Sequence, residues 1–177
     1  RISKKWLKRA NGKGIMANCE TTAEVERVVG NFFRPRQNIV VPNVSWGLFV
    51  HECDLFVLTK NGYGIEVEIK VSRADLIKDR TKSHGHNNIR IKKLFFAIPE
   101  KLNQPDTIAH IPERAGIIVV DKRGHCKIIK AATIRADAIK MDDSKRTVLL
   151  RLAYLRYWDR HCKDSRRTPS LDDGLGI

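Results

Sequence analysis

The stretch Ile65-Glu66-Val67-Glu68-Ile69-Lys70-Val71 alternates apolar and charged residues without interruption. Successive side chains of a strand point to opposite faces, so Ile65, Val67, Ile69 and Val71 share one face, and Glu66, Glu68 and Lys70 share the other. Residues 53–59 form a second apolar-rich run, and Lys60-Asn61-Gly62 between the two is a hairpin signal. Side-chain matching then selects the register. A two-residue Asn61-Gly62 turn would set Leu55 opposite Glu68 and Asp54 opposite Ile69, on the apolar face. A three-residue loop instead pairs Thr59 with Tyr63, Val57 with Ile65 and Leu55 with Val67, and sets Asp54 across from Glu68. The second register is self-consistent, and Gly62 suits the left-handed last position of such a loop. The hairpin is therefore predicted to bring Asp54, Glu68 and Lys70 onto one surface.

Outward from the hairpin, residues 21–33 carry Val25, Val28, Val29 and Phe32 at helical spacing, with Thr21 or Thr22 as N-cap and Gly30 near the end. Residues 38–44 read as a strand in which Pro42 marks an edge or a bulge. Ser72, with Asp75 three residues on, opens a helix that runs to about residue 82. Residues 94–98 and 116–120 are short apolar strands, and 125–129 pairs with the latter across the 121–124 turn. Ser144 is the expected cap of a last long helix, about 144–164. The order predicts one mixed α/β or α+β domain over residues 19–164, built on a central sheet. A basic segment, 1–18, precedes it, and a polar, loose tail, 165–177, follows.

The chain has 177 residues, with 34 Lys and Arg against 20 Asp and Glu, a formal charge of +14 that points to a polyanionic partner. A hydrophobic share of 42% with three Trp supports a packed core rather than disorder. With 11 Gly and 6 Pro a collagen-like chain is excluded. The apolar run 115–120 is far short of a membrane span, so no membrane partner is expected. No secretory apolar stretch follows the basic start. Cys19, Cys53, Cys126 and Cys162 fit neither ribbon nor finger spacing, and a reducing, cytoplasmic setting is expected. The chain opens on Arg1, not Met, and a preceding segment is expected.

Residues two apart on a strand are separated by about 6.6 Å, so a carboxylate at Glu68 could hold a cation while the Lys70 ammonium reaches an adjacent water. Mg²⁺ wants several oxygen ligands, and Asp54 is the second carboxylate in reach. Facing acids repel by about a few kcal/mol at protein-like dielectric, an unfavourable arrangement unless a cation sits between them.

Asp54 followed by Glu68-Ile69-Lys70 resembles the PD-(D/E)XK nuclease superfamily. The wider run 66–76, with Phe95-Phe96-Ala97-Ile98-Pro99-Glu100 and Ala115-Gly116-Ile117-Ile118-Val119-Val120-Asp121, is similar to its MmcB-like DNA-repair branch and related phage nucleases, over about residues 21–133. The resemblance implies a restriction-endonuclease-like core, a mixed sheet of about four to six strands flanked by helices. It also implies Asp54, Glu68 and the Ile69 carbonyl as metal ligands, and Lys70 beside the attacking water. Mg²⁺ is the implied cofactor, with Mn²⁺ able to substitute. Cys53 stands where the pattern often has Pro, and Glu24 and Glu26 are both candidates for the helical acid of many members.

The expected activity is metal-dependent hydrolysis of DNA phosphodiesters in DNA repair or phage DNA processing. Such chemistry needs charge neutralised on phosphoryl oxygens, a hydroxide delivered in line and a stabilised leaving oxygen; no donor for the last is evident. The alternatives are a non-catalytic nucleic-acid-binding module on the same fold, or a dimeric restriction or junction-resolving endonuclease. Arg73, Lys78, Lys82, Arg90, Lys92 and Lys93 surround the hairpin in sequence, and His84 could meet a phosphate. Arg156, Arg160, Lys163 and Arg167 form one basic helical stripe suited to a phosphate backbone. Trp6, Trp46 and Trp158 are expected to pack rather than stack on bases. The pairs His51/Cys53, His125/Cys126 and His161/Cys162 suggest zinc, but their spacing and the opposed facing of adjacent strand residues argue against it.

Overall fold

A computed structural model describes residues 20–45, 48, 50–79 and 86–165. The sequence expectations for the segment 1–18, for Cys19, Trp6, Trp46, Lys82, His84 and Arg167, and for the tail past residue 165 lie outside the described residues. In chain order the elements are α1 (Thr22–Phe32), β1 (Ile39–Val44), β2 (Cys53–Leu58), β3 (Gly64–Ile69), α2 (Arg73–Asp79), β4 (Ile91–Pro99), a short α3 (Pro105–Ile108), β5 (Gly116–Val120), β6 (Cys126–Lys130) and α4 (Asp143–Ser165). The strands form a six-stranded sheet ordered as in the chain. β1, β2 and β3 run antiparallel in turn, β3, β4 and β5 are parallel, and β6 returns antiparallel. The two parallel joints are those crossed by helices, as parallel pairing requires. The fold is thus a mixed α+β domain with its sheet flanked by helices.

Thr21 caps α1 with the reciprocal capping box of Glu24: the Glu24 N–H donates to Thr21 Oγ1 at 3.3 Å and the Thr21 N–H to Glu24 Oε2 at 3.0 Å. The helix then lays Val25, Val28 and Val29 on one sheet face, against Leu55, Val57, Val67, Ile69, Phe95 and Ile118. The opposite face is divided. At one end α4 covers it, packing Leu149 and Leu152 with Val41, Phe56 and Leu58. At the other, Leu76 of α2 joins Leu94, Phe96, Ile98 and Ile117. Glu66 and Glu68 rise from β3 between these two apolar clusters, and both are fully buried.

The hairpin adopts the three-residue loop. Leu55 faces Val67 and Val57 faces Ile65, the Thr59 N–H donates to Tyr63 O at 3.0 Å, and Gly62 takes φ +84°. Pro42 sits on the edge strand β1, the position where a proline is tolerated in a sheet. α2 is described over Arg73–Asp79, and its expected end near residue 82 lies outside the described residues. One boundary differs from expectation. α4 is capped by Asp142 rather than Ser144, because the Asp142 carboxylate accepts the Lys145 N–H at 2.8 Å and its carbonyl accepts the Arg146 N–H.

Gly64 opens β3 where a side chain would not fit. A Cβ there would lie 2.6 Å from the Arg90 carbonyl and 2.8 Å from the Phe56 ring. Gly64→Ala is therefore expected to cost about 2 kcal/mol through overpacking, read as a lower urea midpoint at unchanged slope. An unchanged midpoint would mean that β3 and the chain before β4 separate at no cost.

Candidate functional site

The end of β3 gathers the predicted residues. Continuing the β2–β3 register places Asp54 across from Glu68. Lys70 Nζ lies 2.7 Å from Glu68 Oε2 and 3.8 Å from Asp54 Oδ2. The Ile69 N–H donates to Asp54 Oδ2 at 2.7 Å, which fixes that carboxylate at the strand end. The Ile69 side chain itself is buried in the core under α1, so only its backbone belongs to the site. The Lys70 N–H extends the ladder to β4 by donating to Ala97 O at 3.0 Å. Asp54 is 36% exposed whereas Glu68 is 0% exposed, so the cluster opens to solvent at Asp54.

Four further groups belong to the cluster. Asp79, from α2, places Oδ1 3.0 Å from Lys70 Nζ. Asp79 Oδ2 lies 2.6 Å from His86 Nε2, and the other imidazole nitrogen, Nδ1, lies 2.6 Å from Glu66 Oε1. His51 Nε2 approaches the same Glu66 oxygen at 2.7 Å. The second Glu66 oxygen, Oε2, is buried with no hydrogen-bond partner among the described residues. His86 has φ +56°, an uncommon left-handed conformation outside glycine. Arg114 holds it there by donating from Nη2 to the His86 carbonyl, and the imidazole meets the Phe96 ring edge-on. A pocket of about 400 Å³ adjoins Asp79 and His86, walled by His110, Ile111 and Pro112.

Charge follows from this geometry. Burial pushes the Lys70 ammonium toward neutrality, but the Glu68 carboxylate, helped by Asp54 and Asp79, outweighs it, and the pKa is raised. Burial would likewise lower His86, yet hydrogen bonds to Asp79 and Glu66 raise it from 6.5 to about 9. Burial raises Glu66, and its bonds to His51 and His86 outweigh that, leaving the carboxyl below its usual range. Burial and the neighbouring Glu66 and Glu68 charges push the Cys53 thiol strongly up, so it packs as an apolar group. Four carboxylates, of Asp54, Glu66, Glu68 and Asp79, thus face the cations Lys70 and His86, with Arg114 at the margin.

The remaining candidates stand elsewhere. Arg73 is half exposed and points at Asp106 and His110, 3.5 Å and 3.3 Å away. Arg156 donates to the Asn43 carbonyl at 2.8 Å, and Arg160 Nη2 lies 3.0 Å from Glu26 Oε1, so both brace α4 against β1 and α1. Neither predicted helical acid joins the cluster, since Glu24 closes the cap of α1 and Glu26 pairs with Arg160. The helix that supplies an acid is α2, through Asp79. The sequence carried a signal for this: Asp79 lies three residues after Leu76, on the helix face that turns to the sheet.

Fold and cluster together define a mixed α+β sheet protein with a buried carboxylate, ammonium and imidazole network at the centre of one face. Comparison with protein-family models gives no match, and neither does comparison with curated proteins. Among solved structures, a protein of unknown function from Silicibacter pomeroyi is similar over 88% of this chain and 95% of its own, with 20% identity and a TM-score of 0.56. That likeness is one of fold. Among the described residues no helix is long and apolar enough to cross a membrane.

Proposed function

We propose that this chain is a divalent-metal-dependent DNA nuclease of the PD-(D/E)XK type, acting in the cytoplasm in DNA repair or phage DNA processing. One observation carries the reading: the Lys70 ammonium lies 2.7 Å from Glu68 and 3.8 Å from Asp54, at a strand end that opens to solvent on the Asp54 side. Carboxylate oxygens are the donors a hard ion prefers, and the cluster's surplus of negative charge suits a divalent cation. Asp54, Glu68 and the Ile69 carbonyl would hold Mg²⁺ or Mn²⁺. Such an ion, when bound, neutralises charge on the phosphoryl oxygens and acidifies a bound water.

The chain's own groups do the rest. The Ile69 N–H orients Asp54, and Glu68 with Asp79 anchors Lys70 so that its ammonium points at one place. As an ammonium, Lys70 orients the attacking water and stabilises charge developing on the phosphate. It can accept a proton only once a cation has offset the carboxylates that raise its pKa. Arg73, Lys82 and His84, flanking the site in sequence, supply contacts to the phosphate backbone, and the overall charge of +14 supplies non-specific attraction. Arg160, whose side chain is largely exposed, adds a phosphate contact at the margin, whereas Arg156 is engaged by Asn43 and Asp159 and contributes charge alone.

The binding-module reading draws on a specific feature, the pairing of Lys70 with two acids, which a purely structural cluster would also show. Plasmid, linear duplex and single-stranded DNA incubated with Mg²⁺, Mn²⁺ or a chelator separate the two. The nuclease reading expects metal-dependent cleavage of at least one substrate. It also expects Asp54→Asn to weaken Mg²⁺ binding by about tenfold or more while DNA affinity is kept. A protein that retards DNA and cuts none of the three with either metal is a binding module. Dimerisation measured beside cleavage tests the two-site variant.

A further inference from the structure

His51, Glu66 and His86 converge from three separate segments: the β1–β2 connection, the middle of β3 and the residues just before β4. One ligand atom from each lies within 4.8 Å of the others. His86 is turned so that Nδ1 faces Glu66 while Nε2 faces Asp79, at 2.6 Å on each side. An imidazole that presents one nitrogen to a shared centre and the other to a carboxylate has the arrangement of a metal-ligating histidine with its orienting partner. Independently, Glu66 is fully buried, and its Oε2 has no hydrogen-bond partner among the described residues. A buried acceptor without a donor is costly unless something fills its place.

We propose that His51 Nε2, His86 Nδ1 and the Glu66 carboxylate form a site for an imidazole-preferring divalent transition ion, of which zinc is the probe, with Asp79 orienting His86. Two imidazoles and one carboxylate are a donor set that zinc and its first-row neighbours take and that Mg²⁺ does not favour. The alternative grouping of Glu68, Asp79 and His86 is excluded by Lys70, whose ammonium sits 2.7 Å from Glu68 and 3.0 Å from Asp79. Binding replaces the proton that links each imidazole to Glu66, and the ligand atoms spread by a few tenths of an ångström to surround the ion. Bidentate ligation by Glu66 would also give its second oxygen a partner. Glu66 and Glu68 are two residues apart on one strand, about 6.6 Å. This site takes no ligand from the Asp54 and Glu68 pair, and so does not rest on the nuclease reading. His51, 11% exposed, is the entrance.

The test uses the full chain stripped with a chelator, reloaded with Zn²⁺ or Co²⁺ and desalted. The site predicts about one zinc retained per chain and a visible ligand-field band with Co²⁺. His51→Ala and Glu66→Gln should each weaken zinc binding by about 100-fold, whereas Asp54→Asn should leave it unchanged. Far-ultraviolet circular dichroism checks that the variants fold, and His51→Asn, smaller in its disturbance, repeats the first if it does not. Failure of the wild type to retain zinc or to develop the cobalt band overturns the proposal. So does retention unaffected by both His51→Ala and Glu66→Gln, or retention lost in Asp54→Asn. Because Asp54→Asn is the change expected to impair Mg²⁺ binding, the two sites fail or stand separately.

Discussion

Lys70→Ala is expected to lower Mg²⁺-dependent DNA cleavage by at least about 10³-fold, with DNA affinity within about twofold of the parent. The two readouts separate because Lys70 is 7% exposed and turned into its carboxylate partners, so it adds little to long-range attraction spread over 34 basic residues. Its loss has a second effect that a surface lysine would not show. Glu68 and Asp79 would be left buried without the ammonium that neutralises both, a defect of about 3–5 kcal/mol in the metal-free protein. Mg²⁺ should recover part of that stability but none of the cleavage. A Lys70→Ala protein that cuts as fast as the parent removes the mechanism, and one equally stable to urea removes the buried pairing.

Stability of the metal-free protein should also fall as pH rises from about 6.5 to 9. His86 is 2% exposed, and its folded pKa is raised from 6.5 to about 9. A group whose pKa rises on folding contributes fully below its unfolded value and loses that contribution as pH climbs through the folded one. The difference of about 2.5 units corresponds to roughly 3 kcal/mol. Glu66 acts at the other end of the scale: its lowered pKa gives stability above the ordinary carboxyl range, lost as pH falls through the depressed value. Urea unfolding at pH 6, 7.5 and 9 measures the alkaline limb. His86→Ala should flatten that limb and cost about 3–5 kcal/mol at neutral pH, since Glu66 and Asp79 would be left without the imidazolium between them. A parent equally stable at pH 6 and pH 9 would show that His86 is not held charged.

What sequence revealed of this site was what local pairing dictates. One register alone matches Leu55 with Val67 and Val57 with Ile65 while giving Gly62 the left-handed place, and that register sets Asp54 across from Glu68. The α1 cap was equally plain, because Thr21 and Glu24 carry both halves of a reciprocal bond. Asp79 and His86 were hidden for a different reason: Asp79 meets Lys70 and His86, and His86 meets Glu66, partners distant in sequence that only the tertiary fold brings together. Between His84 and His86, chemically identical in sequence, the latter's left-handed backbone, which directs its ring inward, cannot be read from composition. Ser144 and Asp142 are comparable caps, and only the observed turn selects Asp142. The arginines of α4 showed their common helix face but not what that face meets, which proved to be Asn43 and Glu26.

Strand order that follows chain order has a consequence for synthesis. Each strand leaving the ribosome finds its neighbour already made, so the sheet can grow from one margin without waiting for remote partners. The third strand emerges carrying Glu66 and Glu68 ahead of Asp79 and His86, which follow later in the chain. For that interval the acids sit in water, where their charge costs little, and they keep the growing margin from sticking to other nascent chains. The acids are thus neutralised only after the strand that bears them has formed, by residues that follow it in the chain.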